Sequence, residues 1–220
     1  MYKKQQYVFK DGRPVMATIR TYTEADFPGL IDVQRESFPP PFPPDLLWDE
    51  QQLKNHITLY PEGAICVEID GEIAGSMTAM LTTFDPAGPS HTWEEMTDSG
   101  SIRTHDPEGN SLYVVDIGIK PKFRQLKLGK LLMEAMYERV AADGIERLIG
   151  GGRMPGYHRY AEQLTAEQYI DQVMAGELKD PVISFLLSCG RMPVNLMPGY
   201  LDDKESHDYA LLMEWKNPFI

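Results

Sequence analysis

The chain has 220 residues, 42% of them hydrophobic, which suits one domain with a substantial core, and its formal net charge of −12 argues against general binding to nucleic acid. No segment is apolar for long enough to cross a membrane, and residues 1–7 carry charge without the apolar run of a signal peptide. The two cysteines, Cys66 and Cys189, provide neither a disulfide framework nor a metal cluster, so we expect a reducing cytoplasm and no metal.

The first part of the chain predicts one strand and two helices. Residues 15–20 are a short strand candidate. Thr23, followed by Asp26, is typical of a capped helix start. The proline-rich run 39–44 cannot be helical and predicts an extended connector, and a second helix is expected to begin at Asp45.

Residues 64–80 predict a β-hairpin. Apolar and polar residues alternate on both sides of Asp70-Gly71, a pair that favours a tight turn. Gly75, inside the return strand, indicates a bulge or a close approach of another backbone. Cys66 falls in the first strand and is expected to be a core residue.

A long acidic segment, residues 85–110, follows the hairpin. Loops of this length are usually functional or disordered, and we expect an ordered lid near the substrate side. Trp93 and Met96 are placed to anchor it. His91 and His105 lack the spacing of metal ligands and are expected to be solvated.

Residues 112–140 carry the strongest pattern. Residues 112–119 are rich in β-branched side chains and predict a buried strand, and apolar residues recur at helical spacing from 128 to 140. A helix N-terminus has unpaired N–H groups and favours negative charge. The basic loop between this strand and this helix therefore predicts a phosphate site. The alternative is an ordinary solvated loop. The cations of this loop are Lys120, Lys122, Arg124, Lys127 and Lys130.

The remaining chain predicts two further helices and three strands. The strands are expected at 145–150, 192–196 and 207–215. The glycine run 150–152 lacks the spacing of a dinucleotide fingerprint and is expected to be a flexible strand exit. Thr165 begins a capping box, and Asp180 with the following proline predicts a helix that ends at Gly190.

The basic loop also resembles a known pattern. Residues 119–129 read Ile-Lys-Pro-Lys-Phe-Arg-Gln-Leu-Lys-Leu-Gly, which is similar to the acetyl-CoA loop of the GNAT N-acetyltransferase family. The pattern of that family is V-x-P-x-[YF]-R-[GQ]-x-G-[IL]-G. The present sequence departs from this pattern at Lys127, where the family usually has its first glycine. The matching residues are Pro121, Phe123, Arg124, Leu128 and Gly129, followed by Leu131 and Leu132.

The order of predicted elements resembles the same family over about residues 15–217. It implies a single GNAT-like acetyltransferase domain, 1–220, of the mixed α/β (α+β) class, with an acidic loop insertion at 85–110 and a helical insertion at 153–180. The central sheet would be mixed and largely antiparallel, splayed between the fourth and fifth strands, with helices on both faces. Residues 152–157, the helix that begins at Asp180-Pro181 and residues 212–218 further resemble the GNAT-like domain fused to some carbon–nitrogen hydrolases, here expected to stand alone.

The resemblance implies acetyl-CoA as the co-substrate. By position, main-chain N–H groups of Ile117, Gly118 and Ile119 would hold the pantetheine and polarise the thioester carbonyl. A Cβ at Lys127 can obstruct the pyrophosphate or force a different φ. The residues implied to bind the coenzyme in the loop are Arg124, Gln125, Leu126, Lys127, Leu128, Gly129 and Lys130.

Acetyl transfer to an amine needs a polarised thioester, a neutral amine and a proton for the leaving thiolate. The usual acid of the family is a tyrosine, and its position here is Leu186, so that acid is missing. Asp116 is a candidate base, directly or through water, or else a buried hydrogen-bonded carboxylate. Tyr157 and His158 are candidate proton donors, or else ordinary residues of a loop.

The sequence therefore predicts an acetyl-CoA-dependent N-acetyltransferase that acts on a primary amine of a small molecule or peptide. The alternative is a catalytically weak GNAT-like module that binds acyl-CoA or a protein, which Lys127 and Leu186 favour. We expect neither a nucleic-acid nor a membrane partner, and the sequence leaves a homodimer open.

Overall fold

The computed structural model describes residues 2–220, which form eight strands and six α-helices. The strands are β1 (Lys3–Lys10), β2 (Arg13–Thr21), β3 (Ala64–Ile69), β4 (Glu72–Thr82), β5 (Ser111–Ile119), β6 (Arg147–Arg153), β7 (Met192–Met197) and β8 (Ala210–Lys216). The helices are α1 (Phe27–Ser37), α2 (Glu50–Leu59), α3 (Trp93–Thr97), α4 (Leu128–Ala142), α5 (Ala166–Met174) and α6 (Ile183–Ser188). Within residues 2–220, none of the helices combines the length and the apolar content that crossing a bilayer requires.

All eight strands belong to one open sheet, in the order β1-β2-β3-β4-β5-β6-β8-β7. Only β5 and β6 run parallel, and every other neighbouring pair is antiparallel. The parallel pairing extends from Ser111 opposite Arg147 to Tyr113 opposite Ile149 and then stops. The predicted mixed, largely antiparallel and splayed sheet is therefore confirmed.

Helices α1 and α4 lie on opposite faces of this sheet. A Cβ built on Gly118 of β5 would lie 3.3 Å from Val33 of α1. The next residue of β5, Ile119, points the other way, because a Cβ built on Gly129 of α4 would lie 3.7 Å from its side chain. Successive side chains of a strand point to opposite faces, so the two helices sandwich the sheet.

Capping boxes fix the starts of four helical segments. The predicted boxes at Thr23 and Thr165 are both confirmed. The second helix begins later than predicted, because Pro44–Leu46 forms a separate 3-10 turn and Asp49, not Asp45, caps α2. The Asp49 carboxylate accepts a 2.8 Å hydrogen bond from the N–H of Gln52.

The N-terminal strand β1 is missing from the sequence prediction. It pairs along its whole length with β2, which itself begins at Arg13 rather than at residue 15. Tyr7 and Phe9 of β1 remain 64% and 69% exposed, so this edge strand lacks the buried alternation that marks a strand in sequence. The sheet therefore extends beyond the predicted core, and the splay lies between the fifth and sixth strands.

The glycine run 150–152 is not a flexible strand exit. All three residues lie in β6 and pair with β8. A Cβ on Gly151 would lie 2.4 Å from the ring of Tyr200, and a Cβ on Gly152 would lie 2.7 Å from Leu186. Glycine is required here because side chains from both faces pack directly on the strand. The last strand begins at Ala210, three residues later than predicted.

The acidic segment 85–110 is ordered around α3. Trp93 and Ile102 are buried, and Thr97 donates a 2.7 Å hydrogen bond to the carbonyl oxygen of Trp93. The segment is acidic and polar, and the buried Trp93 and a local capping box at Thr92 hold it against the rest of the domain.

Candidate active site

The divergence of β5 and β6 opens a cavity of about 840 Å³. Tyr113 and Ile149 are the last paired residues, and Val114 and Gly150 beyond them already line the cavity. Helix α6, the end of α1 and the connector that follows α1 complete its walls. One continuous space therefore joins the basic loop to the point where the strands part, which we call the apex.

A bulge in β5 lies beside the apex. The pairing of β5 with β4 shifts between Thr78 and Ala79, which leaves Val115 without a partner on β4. The carbonyl oxygen of Val115 instead accepts a 3.0 Å hydrogen bond from Nε1 of Trp93. A bulge bends a strand and redirects its main-chain groups, and this one anchors the acidic segment to the cavity wall.

Two of the three predicted N–H donors on β5 face the splay. The N–H of Lys120 donates to the carbonyl oxygen of Ala74 next to β4 at 2.9 Å. Main-chain groups alternate in direction along a strand, so the N–H of Gly118 also faces β4, whereas those of Ile117 and Ile119 face away from it. Gly118 therefore offers no N–H to the splay, and its missing side chain lets α1 pack closely on β5, because a Cβ there would lie 3.1 Å from Oγ of Ser37.

The five cations of the loop divide into two groups. Lys120 lies 3.1 Å from Glu72 and 3.4 Å from Glu36, and Lys122 lies 2.7 Å from Glu72. Neither lysine lines the cavity. Three cations that form no ion pair within residues 2–220 do line it, and these are Arg124, Lys127 and Lys130.

Lys127 adopts the backbone shape that a glycine takes easily. Its φ of 58° and ψ of 26° lie in the left-handed region, between a 3-10 turn at Pro121–Leu126 and the first residue of α4. The lysine is exposed, so its side chain does not fill the cavity. Of the other predicted loop residues, Leu126 and Leu128 are buried in the core and Gln125 is exposed outside the cavity lining, which leaves them main-chain roles.

Gly129 keeps the N-terminus of α4 open towards the cavity. A Cβ at this position would lie 3.1 Å from the ring of Phe185 in α6 and would narrow the gap between them. Unpaired N–H groups at the start of a long helix and nearby cations together bind phosphate well. The loop, the open helix start and the strand N–H groups fit the phosphates and the amide arm of the predicted coenzyme.

Asp116 lies in the cavity wall on the side of α1. Its Oδ2 accepts a 2.7 Å hydrogen bond from Nε2 of Gln34. Burial raises the pKa of Asp116 to about 7, and the Gln34 hydrogen bond, the N–H of Ile117 and the charge of Arg153 offset that rise only in part. A carboxyl group that titrates near neutral pH can both take up and release a proton, as a general base must.

Apolar side chains make up much of the remaining lining. Trp48 and Trp93 stack with ring centroids 6.0 Å apart. The guanidinium of Arg153 lies 4.7 Å over the ring of Phe42 and pairs with Asp203 and Glu205. Asp116 therefore faces a chamber with apolar walls, lined by Phe38, Phe42, Leu46, Trp48, Trp93 and Leu201.

The structure does not bring Tyr157 and His158 together with Asp116. The Tyr157 hydroxyl donates to the carbonyl oxygen of Leu164 at 3.1 Å, and Nδ1 of His158 lies 2.7 Å from the carbonyl oxygen of Pro155. Neither residue lines the cavity. Leu186, at the position of the usual acid, is buried and does line it, so that position supplies no hydroxyl. The hydroxyl of Ser188, also on α6 and in the lining, donates to the carbonyl oxygen of Phe185 at 2.7 Å.

Sequence reasoning missed a polar cluster at the apex. The hydroxyl oxygens of Tyr113 and Tyr200 lie 2.6 Å apart, and Nε2 of His91 lies 3.2 Å from that of Tyr113. The prediction of solvated histidines was therefore wrong: burial lowers the pKa of His91, and His105 accepts a hydrogen bond from the N–H of Leu81. These residues come from distant segments, and no spacing in the sequence relates them.

Arg191 is a second missed residue. It is 2% exposed and lines the cavity, and its Nη2 donates to the carbonyl oxygens of Gly150, at 3.1 Å, and of Met213. In the sequence it follows the helix-ending Gly190, so the local pattern indicates only a turn.

A family model described as the acetyltransferase (GNAT) family matches residues 27–155, more than half of the chain. The chain belongs to the GNAT acetyltransferase family. The matched region runs from α1 through β6 and contains the bulge, the splay, Asp116 and the basic loop.

Two relatives of this GNAT chain come from Bacillus subtilis (strain 168). The chain is 55% identical over 217 residues to an uncharacterized N-acetyltransferase, YkwB, covering 98% of this chain and 96% of that protein. It is 40% identical over 200 residues to a probable hydrolase, YhcX, covering 90% of this chain but 38% of that protein. The family match and the first relative confirm the prediction of a GNAT N-acetyltransferase; the chain spans well under half of the second relative.

Solved structures show the same GNAT fold. The GphF GNAT-like decarboxylase in complex with isobutyryl-CoA has a TM-score of 0.77 at 24% identity, covering 90% of this chain and 98% of that chain. The loading GNATL domain of CurA from Lyngbya majuscula also has a TM-score of 0.77, at 22% identity, covering 91% of this chain and 97% of that chain. The PaiA N-acetyltransferase from Thermoplasma acidophilum in complex with coenzyme A has a TM-score of 0.53 at 14% identity, covering 91% of this chain and 98% of that chain.

Proposed function

We propose that this GNAT enzyme transfers the acetyl group of acetyl-CoA to a primary amine of a small molecule or peptide. The observation that carries the proposal is the single cavity that joins the unpaired loop cations to Asp116 between β5 and β6. The two ends of this cavity have different chemistry, because one is basic and the other has apolar walls around the carboxyl group of Asp116, with Glu205 already paired to Arg153. A negatively charged coenzyme and an amine therefore have separate places to bind.

The coenzyme supplies an acyl group activated as a thioester. Arg124, Lys127 and Lys130 neutralise its phosphates together with the N-terminus of α4. The N–H of Ile119 binds the amide arm, whereas the N–H of Ile117 already donates to the carboxylate of Asp116. Structures of this fold that hold isobutyryl-CoA or coenzyme A support an acyl-CoA ligand.

Asp116 accepts the proton that the amine must lose. Gln34 holds the carboxylate by its 2.7 Å hydrogen bond and keeps the accepting oxygen in place. Apolar walls around the amine favour its neutral, nucleophilic form, because burial disfavours a charged ammonium group. Tyr157 and His158 have no part in this mechanism, since neither lines the cavity and each side chain contacts a nearby carbonyl oxygen.

The first experiment is a thermal melt with and without acetyl-CoA. Ligand at ~100 times its Kd stabilises the folded state by about 2.7 kcal/mol through mass action. Lys130→Gln should weaken the effect, whereas Lys122→Gln should leave it intact because Lys122 pairs with Glu72. A melt unchanged by millimolar acetyl-CoA would contradict the proposal.

The second experiment identifies the acceptor. A panel of primary amines and peptides is incubated with acetyl-CoA, and release of the free thiol is followed against an amine-free control. Binding of the coenzyme without thiol release from any amine would instead favour the GNAT-like binding module.

We also propose a cytoplasmic location. Two buried free thiols, Cys66 and Cys189, suit a reducing compartment. A homodimer stays a prediction, which light scattering checks directly.

A further inference from the structure

Arg191 is a buried cation without an anion. Its side chain forms no ion pair within residues 2–220, and its Nε has no hydrogen-bond partner there. Burial lowers the pKa of Arg191 to about 10, so the guanidinium stays protonated at neutral pH. A charge removed from water costs free energy unless an opposite charge compensates it, and two carbonyl oxygens do so only in part.

The groups around Arg191 do not supply that negative charge. Its titratable neighbours are Tyr113 on β5, Tyr137 on α4, and Cys189 and Tyr200. Burial raises the pKa of all four, to about 12 for Tyr200, so each is neutral at pH 7. The cavity that Arg191 lines gives an anion from outside the chain access to this charge.

The guanidinium lies at the apex. A Cβ built on Gly150 of β6 would lie 3.5 Å from Nη2 of Arg191 and 3.0 Å from the carbonyl oxygen of Val114 on β5. The cavity reaches this point from the basic loop along the splay-facing N–H groups of β5. A coenzyme arm that starts at the loop and follows β5 brings its sulfur end, and not its phosphates, to Arg191.

No tyrosine on α6 protonates this sulfur, because Leu186 occupies the position. We propose that Arg191 stabilises the thiolate of coenzyme A as it leaves, in place of an acid that would protonate it. This role rests on the proposed function. It gives the buried charge a counter-ion at the one moment when the reaction creates an anion.

The bonds and charges balance in this step. The amine nitrogen forms a bond to the carbonyl carbon, and the carbon–sulfur bond breaks with its electron pair going to sulfur. The proton of the nitrogen goes to the carboxylate of Asp116. The sulfur leaves as an anion paired with Arg191, which keeps its own proton. Solvent then carries the proton from Asp116 to the thiolate, so the coenzyme departs as a neutral thiol and Asp116 is ionised again.

The test measures how readily the thiol of bound coenzyme A ionises. The ultraviolet absorbance of the thiolate is followed in a pH titration of coenzyme A on the wild-type protein, with desulfo-coenzyme A as the blank. An adjacent cation should raise the ionised fraction at pH 7 by about tenfold or more over free coenzyme A. Bound coenzyme A that ionises like the free compound overturns the proposal, and this readout needs no variant.

Variants separate charge from structure. Arg191→Gln should abolish the increase in thiolate and lower kcat by roughly a hundredfold, while calorimetry finds coenzyme A still bound. Arg191→Lys should retain part of both effects. Arg147→Gln is the matched control, because Arg147 pairs with Glu146 and Glu214 outside the cavity lining. An increase that survives Arg191→Gln overturns the proposal, whereas an absence of coenzyme binding to the wild type would overturn the proposed function instead.

Discussion

Nε2 of Gln34 lies 2.7 Å from Oδ2 of Asp116, a contact that joins α1 to β5 at the cavity wall. An amide nitrogen can only donate, so the carboxyl oxygen accepts, and the bond favours the ionised form of Asp116. Burial acts in the opposite direction and is the stronger effect, which puts the pKa of Asp116 at about 7.

Replacing Gln34 should move the pH dependence of the reaction. Gln34→Met removes the donor, so the pKa of Asp116 should rise further and the acid limb of kcat/KM should shift to higher pH. Asp116→Asn should remove that limb and lower kcat/KM by roughly a hundredfold or more. Rate profiles from pH 5 to 9 check both. A profile with the same acid limb in Asp116→Asn would exclude Asp116 as the base.

The Lys127→Gly variant tests the left-handed residue. Removing the side chain at a φ of 58° relieves about 1 kcal/mol of backbone strain, so the variant should unfold at a higher urea concentration. Its affinity for coenzyme A should stay within about tenfold, because a lone exposed charge contributes on the order of 1 kcal/mol. Lys127→Ala is the control that removes the charge and keeps the Cβ. A much larger gain in affinity in Lys127→Gly would mean that Lys127 blocks the site and would favour the binding module.

Gly129→Glu should abolish stabilisation by coenzyme A. Its side chain and negative charge would intrude where the phosphates are proposed to lie, and its Cβ would stand 3.1 Å from the ring of Phe185. Gly129→Ala brings the same Cβ without the charge, so comparing the two variants separates crowding from repulsion. Thermal melts with and without coenzyme A provide the measurement. Full stabilisation of the Glu variant would show that the phosphates bind elsewhere.

The stability of the fold should depend on pH through His56. Its Nε2 lies 2.7 Å from the carbonyl oxygen of Gly100, which can only accept, so Nδ1 accepts from the hydroxyl of Tyr22 at 2.9 Å. Burial lowers the pKa of His56 to about 4, against 6.5 when unfolded. The unfolded chain therefore binds the extra proton, and the contribution of His56 alone to the unfolding free energy should fall by roughly 3 kcal/mol on acidification from about pH 6.5 to 4.

Urea denaturation at pH 7 and pH 5 checks this dependence. His56→Gln keeps a donor for Gly100 and should remove the loss of stability on acidification that His56 causes. Asp116 acts in the opposite sense, because its folded pKa is raised from 3.8 to about 7 and its stabilising contribution is lost as the pH rises through that range. Asp116→Asn should therefore reveal the loss of stability through His56 that Asp116 offsets in the wild type. An unchanged pH dependence in His56→Gln would show that His56 does not carry it.

Local chemistry in the sequence determined most of the elements around the site. A β-branched run, a basic loop and a helical repeat are contiguous along residues 112–140, so their order alone predicts strand, loop and helix. The capping boxes at Thr23 and Thr165 fix helix starts by hydrogen bonds that span three residues. The sequence prediction missed β1, because an exposed edge strand has no buried face that would require apolar and polar residues to alternate.

Only the tertiary structure decided which of these residues share a site. The sequence supplied five loop cations, but contacts with Glu72 and Glu36, which lie far away along the chain, removed Lys120 and Lys122 from the cavity. Arg191, Tyr113 and Tyr200 meet only because β5 and β6 part at the apex, and no local pattern records where strands separate. Burial raised the pKa of Asp116 for the same reason, since the low-dielectric surroundings that disfavour its charge come from segments distant in sequence.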